Sequence, residues 1–315
     1  MSTKIYVHND CLAHDPGSTH PENPGRLHAI LATLKNSKKA ANYSFAEAPL
    51  GTEAQILLAH TPGHLHLVKG RSPKLGRYSL DADTIMSPGS LTAALRGVGA
   101  ACAGVDDLMT GSATSVFCLT RPPGHHATSD RAMGFCLFNN IAIAALYAMQ
   151  AHKVERIAIV DFDVHHGNGT QDIMRGRAGI HYLSTHQSHH YPGTGTKMEN
   201  LSGNISNFPL HAGMTDQGFQ EVFGSEVLPA LDQGKPELIL VSAGFDAHAK
   251  DPLASIELTE ASYYWLGQQL QATADKYCGG KMLSVLEGGY NLDALGLSVD
   301  AYLAGISSGD EEIKR

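Results

Sequence analysis

Six short apolar runs, Lys4–His8, Ser115–Thr120, Arg156–Asp163, Ile180–Thr185, Glu237–Ala243 and Lys281–Leu286, constrain this chain more than any other feature. Most are unbroken instead of alternating, the pattern of strands covered on both faces, as in a parallel sheet clothed by helices. The stretches between them supply those helices. Leu91, Leu95, Val98, Cys102, Val105 and Met109 keep helical spacing, Asn139–Met149 is almost wholly apolar, and Ala261–Tyr277 is amphipathic. The order predicts an α/β fold with crossover helices around a mostly parallel sheet. At 315 residues, 43% hydrophobic, and with no linker, repeat or low-complexity tract, the chain reads as a single domain over 1–315. Asp10–Pro24 and His186–Asn207, rich in Gly, Pro, Ser and His, read as loops, and Ser307–Arg315 as a solvated tail.

Charge and cysteine content exclude several function classes. There are 23 basic and 31 acidic residues, a formal charge of −8, and no basic run, which argues against nucleic acid as a direct partner. A basic protein substrate remains compatible. The five cysteines are odd in number, widely spaced and without a CxxC pair, which argues against a disulfide frame or a thiolate metal site and for a reducing cytoplasm. Neither an export leader nor an apolar run of membrane-spanning length is expected from the sequence.

In an open α/β sheet, sites form beyond the carboxyl ends of the strands, and every unusual motif here falls at such an end. Arg156–Val160 runs into Asp161-Phe-Asp163-Val-His165-His-Gly-Asn168. In an extended backbone Asp161, Asp163 and His165 share one face, gathering two carboxylates and an imidazole that a divalent cation would neutralise. A solvated acidic loop with incidental histidines is the plainer alternative. Beyond Ser115–Thr120, prolines and Gly124 hold the tandem His125-His126; beyond Glu237–Ala243 comes Asp246, a third carboxylate. Asp251 competes for that place, but Asp251-Pro252 reads more naturally as a turn. The last run ends in Glu287-Gly288-Gly289-Tyr290, where paired glycines allow a bend that aims the tyrosine back over the site.

Taken together, Arg121–Ala127, Gly134–Asn140, Asp161–Gln171, Tyr191–Gly195, Gly244–Asp246 and Glu287–Tyr290 resemble the zinc-dependent histone deacetylase family. Its fold is the arginase/deacetylase three-layer sandwich. His20–Arg26 is similar to the family's first rim loop, and Asn168-Gly-Thr-Gln171 to the class II type found in bacterial deacetylase-like amidohydrolases.

The resemblance implies zinc on Asp163, His165 and Asp246, with water and the substrate carbonyl in the remaining positions. Fe²⁺ is an alternative, since Asp–His–Asp discriminates less than thiolates. It places His125, backed by Asp161, and His126, backed by Asn168, beside that water. A carboxylate favours a protonated imidazole more than an amide does, so His126 is expected as general base and His125 as an electrostatic group. Tyr290 would donate to the oxyanion. Some family members carry histidine there and are poor deacetylases.

Phe135 and Tyr191 look like the walls of a narrow channel, with Gly134 offering its carbonyl, Gly288 and Gly289 adjoining, and Leu253 at the rim. Relatives commonly have phenylalanine where Tyr191 stands, and acetylpolyamine-selective ones have glutamate where Leu253 stands. Asp83, or else Asp81, would hold the substrate backbone. Arg26 matches an arginine on the route by which acetate leaves, though a structural ion pair is an equal alternative. A potassium ion is implied on Asp161, Asp163, His165, Ser184 and Thr185. His186, His189 and His190 are read as solvated loop histidines.

The expected activity is removal of acetyl or another short acyl group from lysine ε-amino groups of proteins or peptides. Rival readings are acetylpolyamine deacetylation, action on a small acetylated amine, and an acyl-lysine binding module. A two-metal ureohydrolase of the arginase branch would need further bridging carboxylates, whose places the His125–Asp161 arrangement fills. Oligomeric state is not legible.

Overall fold

The computed structural model describes residues 2–310. Among the described residues ten strands are interspersed with helices in chain order: Thr3–Val7 (β1), Tyr43–Glu47 (β2), Tyr78–Ser79 (β3), Ile85–Met86 (β4), Ser115–Cys118 (β5), Ile157–Asp161 (β6), Ile180–Gln187 (β7), Ile205–Leu210 (β8), Leu238–Ala243 (β9) and Met282–Leu286 (β10). The α-helices are Gly25–Asn36 (α1), Glu53–Ile56 (α2), Pro62–Arg71 (α3), Ser90–Thr110 (α4), Asn140–His152 (α5), Asn168–Met174 (α6), Asp216–Val222 (α7), Leu228–Gly234 (α8), Glu260–Cys278 (α9) and Leu292–Ile306 (α10).

Eight strands form one sheet in the order β2-β1-β5-β10-β9-β6-β7-β8, every neighbouring pair parallel, while β3 and β4 make a small antiparallel hairpin. Two apolar cores lie against the sheet. On one face Ile30 of α1, Phe219 of α7, Leu266 of α9 and Tyr302 of α10 meet Ala158, Val160 and Phe117. On the other, Ile56 of α2, Val68 of α3, Val98 of α4 and Ile141 of α5 meet Ile157, Ile159 and Val116. Successive residues of β6 thus enter opposite cores, which is why its sequence run has no polar alternation. Parallel pairing also sends all eight carboxyl ends to one edge, and the long crossovers leave loops there.

The six expected strands and three expected helices all form. Corrections fall elsewhere. β2 and β8 are edge strands that do not read as apolar runs, since YSFAE is largely exposed and ISNFPL mixes Ser, Asn and Pro into a mostly buried strand. His186–Asn207 is not one loop: β7 continues through Gln187, Lys197–Ser202 forms a 3₁₀ turn, and β8 begins at Ile205. The tail is not solvated from Ser307, which is buried and donates to the Leu303 carbonyl at 3.0 Å. Residues 311–315 of that expected tail lie outside the described residues. Among the described residues no helix is long and apolar enough to cross a membrane. The cysteines are free and buried.

Candidate active site

The central strands β5, β10, β9 and β6 stand side by side, and each delivers chemistry just past its carboxyl end. β6 ends at Asp161. The next turn folds back on its own carboxylates: the Asp163 N–H donates to Asp161 Oδ1 at 3.2 Å and the His165 N–H to Asp163 Oδ1 at 2.9 Å. Asp246, past β9, accepts the Val164 N–H at 2.9 Å and so ties the two loops together. Asp163, His165 and Asp246 are buried and bring one ligand atom each within 4.8 Å of the others. Among the described residues no other group of three does so, and Asp251, the rival third carboxylate, stays outside it.

The charge balance of this trio tests whether a cation fits. His165 Nδ1 lies 3.0 Å from Asp246 Oδ2 and 3.2 Å from Asp163 Oδ1. Burial alone would depress the imidazole, but its hydrogen bonds to Asp163 and Asp246, and their charges, hold it up at about 10. Burial and the charge of Asp163 push Asp246 up. An uncompensated buried carboxylate costs several kcal/mol, and the three carboxylates Asp161, Asp163 and Asp246 outnumber the two imidazoles, His125 and His165, that face them, so the cluster favours an added positive charge. A divalent ion supplies that charge, and the His165 proton would leave as it binds.

The tandem histidines are placed by Glu287, just past β10. Its carboxylate accepts the N–H groups of Gly124 at 2.7 Å and His125 at 3.1 Å, and the Ser242 hydroxyl at 3.1 Å. Asn139, which caps α5, also donates to the Ala127 carbonyl at 3.0 Å, holding the far side of that loop. His125 Nδ1 is 3.1 Å from Asp161 Oδ2, which also receives the Tyr182 hydroxyl at 2.9 Å; His126 Nδ1 is 2.8 Å from Asn168 Oδ1. Burial depresses both imidazoles. For His125 the charges of Asp163, Asp161 and Glu287 reverse this and lift it to about 10. For His126 the neighbouring charges of His125 and His165 add to burial and hold it well below its usual value. The two adjacent histidines are therefore pushed in opposite directions.

A cavity of about 210 Å³ leads to this centre. Its inner end is formed by buried His126 and His165 with Tyr290, and its outer part by Phe135, Tyr191, Leu253 and Asp83. Gly134 and Phe135 both adopt positive φ, +55° and +67°. A Cβ on Gly134 would stand 2.4 Å from His126 Cδ2, so only glycine lets the wall close on that ring. The Phe135 N–H donates to Thr84 Oγ1 at 3.1 Å, and the Thr84 hydroxyl to Asp83 Oδ1 at 3.2 Å, which links wall to rim. Asp81 instead caps the turn, accepting the N–H groups of Asp83 at 3.1 Å and Thr84 at 2.7 Å. Tyr191 meets His126 edge to face at 5.1 Å, and Phe135 meets Tyr290 likewise at 5.8 Å. Burial pushes the Tyr290 phenol well above its usual value, which keeps its proton in place for donation.

Several placements differ from expectation. Gly288 and Gly289 do not line the cavity; Gly288 lies beneath it, its N–H donating to Asp163 Oδ2 at 2.8 Å. His186 is buried in β7, between Ser184 Oγ at 2.9 Å and the Gly195 carbonyl at 2.8 Å, and is no loop residue. His190 lines the cavity, stacks on His165 at 5.1 Å and bonds the Leu253 carbonyl at 2.8 Å; His189 alone of the three is exposed. Arg26 is buried, paired with Glu22 at 3.1 Å, and donates to the carbonyls of Glu287 and Gly289 at 2.5 and 2.6 Å. Ser184 faces Asp161 across the β6–β7 ladder, and the Thr185 hydroxyl is buried without a hydrogen-bond partner among the described residues. The placing functions of Glu287 and His190 escaped sequence reasoning, for a carboxylate that holds distant backbone amides leaves no periodic trace.

Comparison with known proteins gives the family and the fold. Residues 20–306 match the histone deacetylase domain model. The chain is 37% identical over 316 residues to "Histone deacetylase 14, chloroplastic" of Arabidopsis thaliana, covering 94% of this chain and 74% of that one. It is 36% identical over 297 residues to the "Histone deacetylase-like amidohydrolase" of Pseudomonas aeruginosa, covering 92% and 78%. The crystal structure of the HDA15 HD domain superposes with a TM-score of 0.90 at 35% identity, covering 98% of this chain and 92% of that one. The chain belongs to the histone deacetylase family and has its α/β fold, and membership makes it a deacetylase-type hydrolase.

Proposed function

We propose that this chain is a single catalytic domain that removes acetyl, or another short acyl group, from lysine ε-amino groups of proteins or peptides. The observation that carries the reading is the cavity, aromatic along Phe135 and Tyr191 and lined at its inner end by His126, His165 and Tyr290. Aromatic walls of this kind suit the methylenes of a linear aliphatic side chain.

Asp163, His165 and Asp246 would hold Zn²⁺ or Fe²⁺, which when bound polarises an acyl carbonyl and makes neighbouring water easier to deprotonate. Asn168 Oδ1 accepts from His126 Nδ1–H, so Nε2 carries the lone pair that takes the water proton and later returns it to the leaving amine. The positive charge on His125 favours charge building beside it, and the Tyr290 hydroxyl donates to the oxyanion. Potassium on Asp161, Asp163, His165, Ser184 and Thr185 would balance the remaining carboxylate charge. Arg26, already committed to Glu22 and two carbonyls, supports the Tyr290 turn and is a candidate guide for departing acetate. Five buried free thiols suit a reducing compartment such as the cytoplasm.

The acetylpolyamine reading has one observation in its favour, the Asp83 carboxylate in the outer cavity; Leu253 beside it offers a second ammonium nothing. Steady-state turnover of the zinc-loaded protein on an acetyl-lysine peptide and on acetylated spermidine and putrescine, with a chelator control, separates the two. Chelator-sensitive preference for the peptide by about tenfold or more in kcat/KM, about 1.4 kcal/mol, is expected. Preference for the polyamines would overturn the substrate assignment, and no turnover on any of them would favour a binding role.

Asn168→Asp tests the base. In the native protein His126 is held low, so it stays neutral through the neutral range. A carboxylate at Nδ1 stabilises the protonated form and raises the pKa, so a base that must be neutral loses activity at higher pH than before. The acidic limb of the pH–rate profile should move upward; a limb that stays put assigns the base elsewhere.

A further inference from the structure

The turn Glu287–Asn291 carries Tyr290 from β10 into α10, and side chains from distant elements hold its backbone. Gly289 sits at φ +118°, a conformation that L side chains rarely adopt. On the carbonyl side, Arg26 donates to Glu287 and Gly289 at 2.5 and 2.6 Å. On the N–H side, Asp163 accepts from Gly288 at 2.8 Å, and Asp251 Oδ2 accepts from Tyr290 at 2.6 Å and Asn291 at 3.2 Å. The other Asp251 oxygen takes the Leu253 N–H at 3.1 Å. Asp251 is 8% exposed, and each hydrogen bond recorded for it among the described residues joins its carboxylate to a backbone N–H or its own N–H to the His248 carbonyl.

We propose that Asp251 is a positioning residue for Tyr290, clamping the two amides that flank the tyrosine Cα and thereby aiming its hydroxyl at the reacting carbonyl. This rests on the reading of Tyr290 as the oxyanion donor. The lever is long: a tilt of roughly 10° at the Cα carries the phenol oxygen by about 1 Å, and a misplacement of that size can cost on the order of a hundredfold in rate. Asp163 and Arg26 have other partners to satisfy, in the metal trio and in Glu22. Asp251 serves only these loops, and through Leu253 it fixes the channel rim to the same point. An amide in its place keeps the volume but can turn an NH₂ toward the two N–H groups, so the clamp opens while the fold's apolar contacts remain.

The test is a double-mutant cycle on the zinc-loaded protein with a short acetyl-lysine peptide, read together with the tyrosine ring resonances of ¹³C-labelled protein, where Tyr290→Phe identifies the Tyr290 signal. Asp251→Asn should lower kcat by about tenfold or more with KM within about threefold, and should lower it less than about twofold in the Tyr290→Phe background. Zinc content should not change, and the Tyr290 resonance should shift or broaden. An equal loss in both backgrounds, no loss in the wild-type background, or an unmoved Tyr290 resonance overturns the proposal. Should Asp251→Asn fail to fold, Asp251→Ser leaves room for water on the two amides and is read the same way. If the wild-type protein turns over no acyl-lysine, the activity reading fails by itself, and the resonance still decides whether Asp251 orders Tyr290.

Discussion

Tyr290→Phe should lower kcat by on the order of a hundredfold or more and change KM little, as expected for loss of one preorganised donor to a developing oxyanion. The substitution removes a single oxygen. The ring keeps its place, held by the Arg26 guanidinium at 4.9 Å and by Phe135 at 5.8 Å. Because the phenol is held well above its usual value it donates throughout the neutral range, so the loss should be the same at every pH where the enzyme works. Charge on the substrate oxygen appears only as the tetrahedral state forms, so the ground-state complex does not sense the missing donor. Steady-state kinetics across pH check this, and near-normal turnover in the variant would assign oxyanion stabilisation to another group.

A second large effect is expected at a residue with no side chain. A Cβ on Gly288 would stand 2.1 Å from Asp246 Oδ2 and 2.6 Å from Asp163 Oδ2, inside the space the two carboxylates share. Backbone cannot yield there, because the Gly288 N–H is bonded to Asp163 and its carbonyl receives the Phe245 N–H at 3.0 Å. The carboxylates must therefore move. Displacing groups that orient metal ligands typically costs 10–100-fold in metal affinity, roughly 1.4–2.7 kcal/mol, and here two ligands move at once. Gly288→Ala should bind zinc at least that much more weakly in a chelator competition, while Gly70→Ala on α3, with open space around the added carbon, should bind it normally. Unchanged zinc affinity in Gly288→Ala would show that Asp163 and Asp246 do not both hold the ion.

What could be seen in the sequence was governed by how local each signal is. Strands buried on both faces write long apolar runs, so β5, β6, β9 and β10 were legible, and with them the edge where Asp163, His165, His126 and Asp246 converge. β2 and β8 were not, because an edge strand needs only one apolar face and tolerates the Ser, Asn and Pro of ISNFPL. α1 begins at Gly25 after Pro24 with no side-chain cap to announce it. His186 looked like a loop residue because histidine is polar, yet the Ser184 hydroxyl and the Gly195 carbonyl satisfy both ring nitrogens inside the strand. Glu287 and Asp251 were visible as letters but not as clamps. Their partners are amides on other loops, and a backbone N–H is the same whatever the residue.

The groups proposed to do the chemistry and the groups that would choose the substrate are anchored differently. Asp161, Asp163, Asp246 and Glu287 stand at or just past the ends of strands in the middle of the sheet, whereas Asp83, Phe135, Tyr191 and Leu253 lie farther along the connections that follow β3, β5, β7 and β9. The Phe135 loop also carries His125 and His126, and the Leu253 loop also carries Asp246 and Asp251, so these two walls are tied to the inner residues through their own backbone. The outer wall can therefore be altered one side chain at a time, whereas inserting or deleting residues in these two loops would also shift the groups at the inner end.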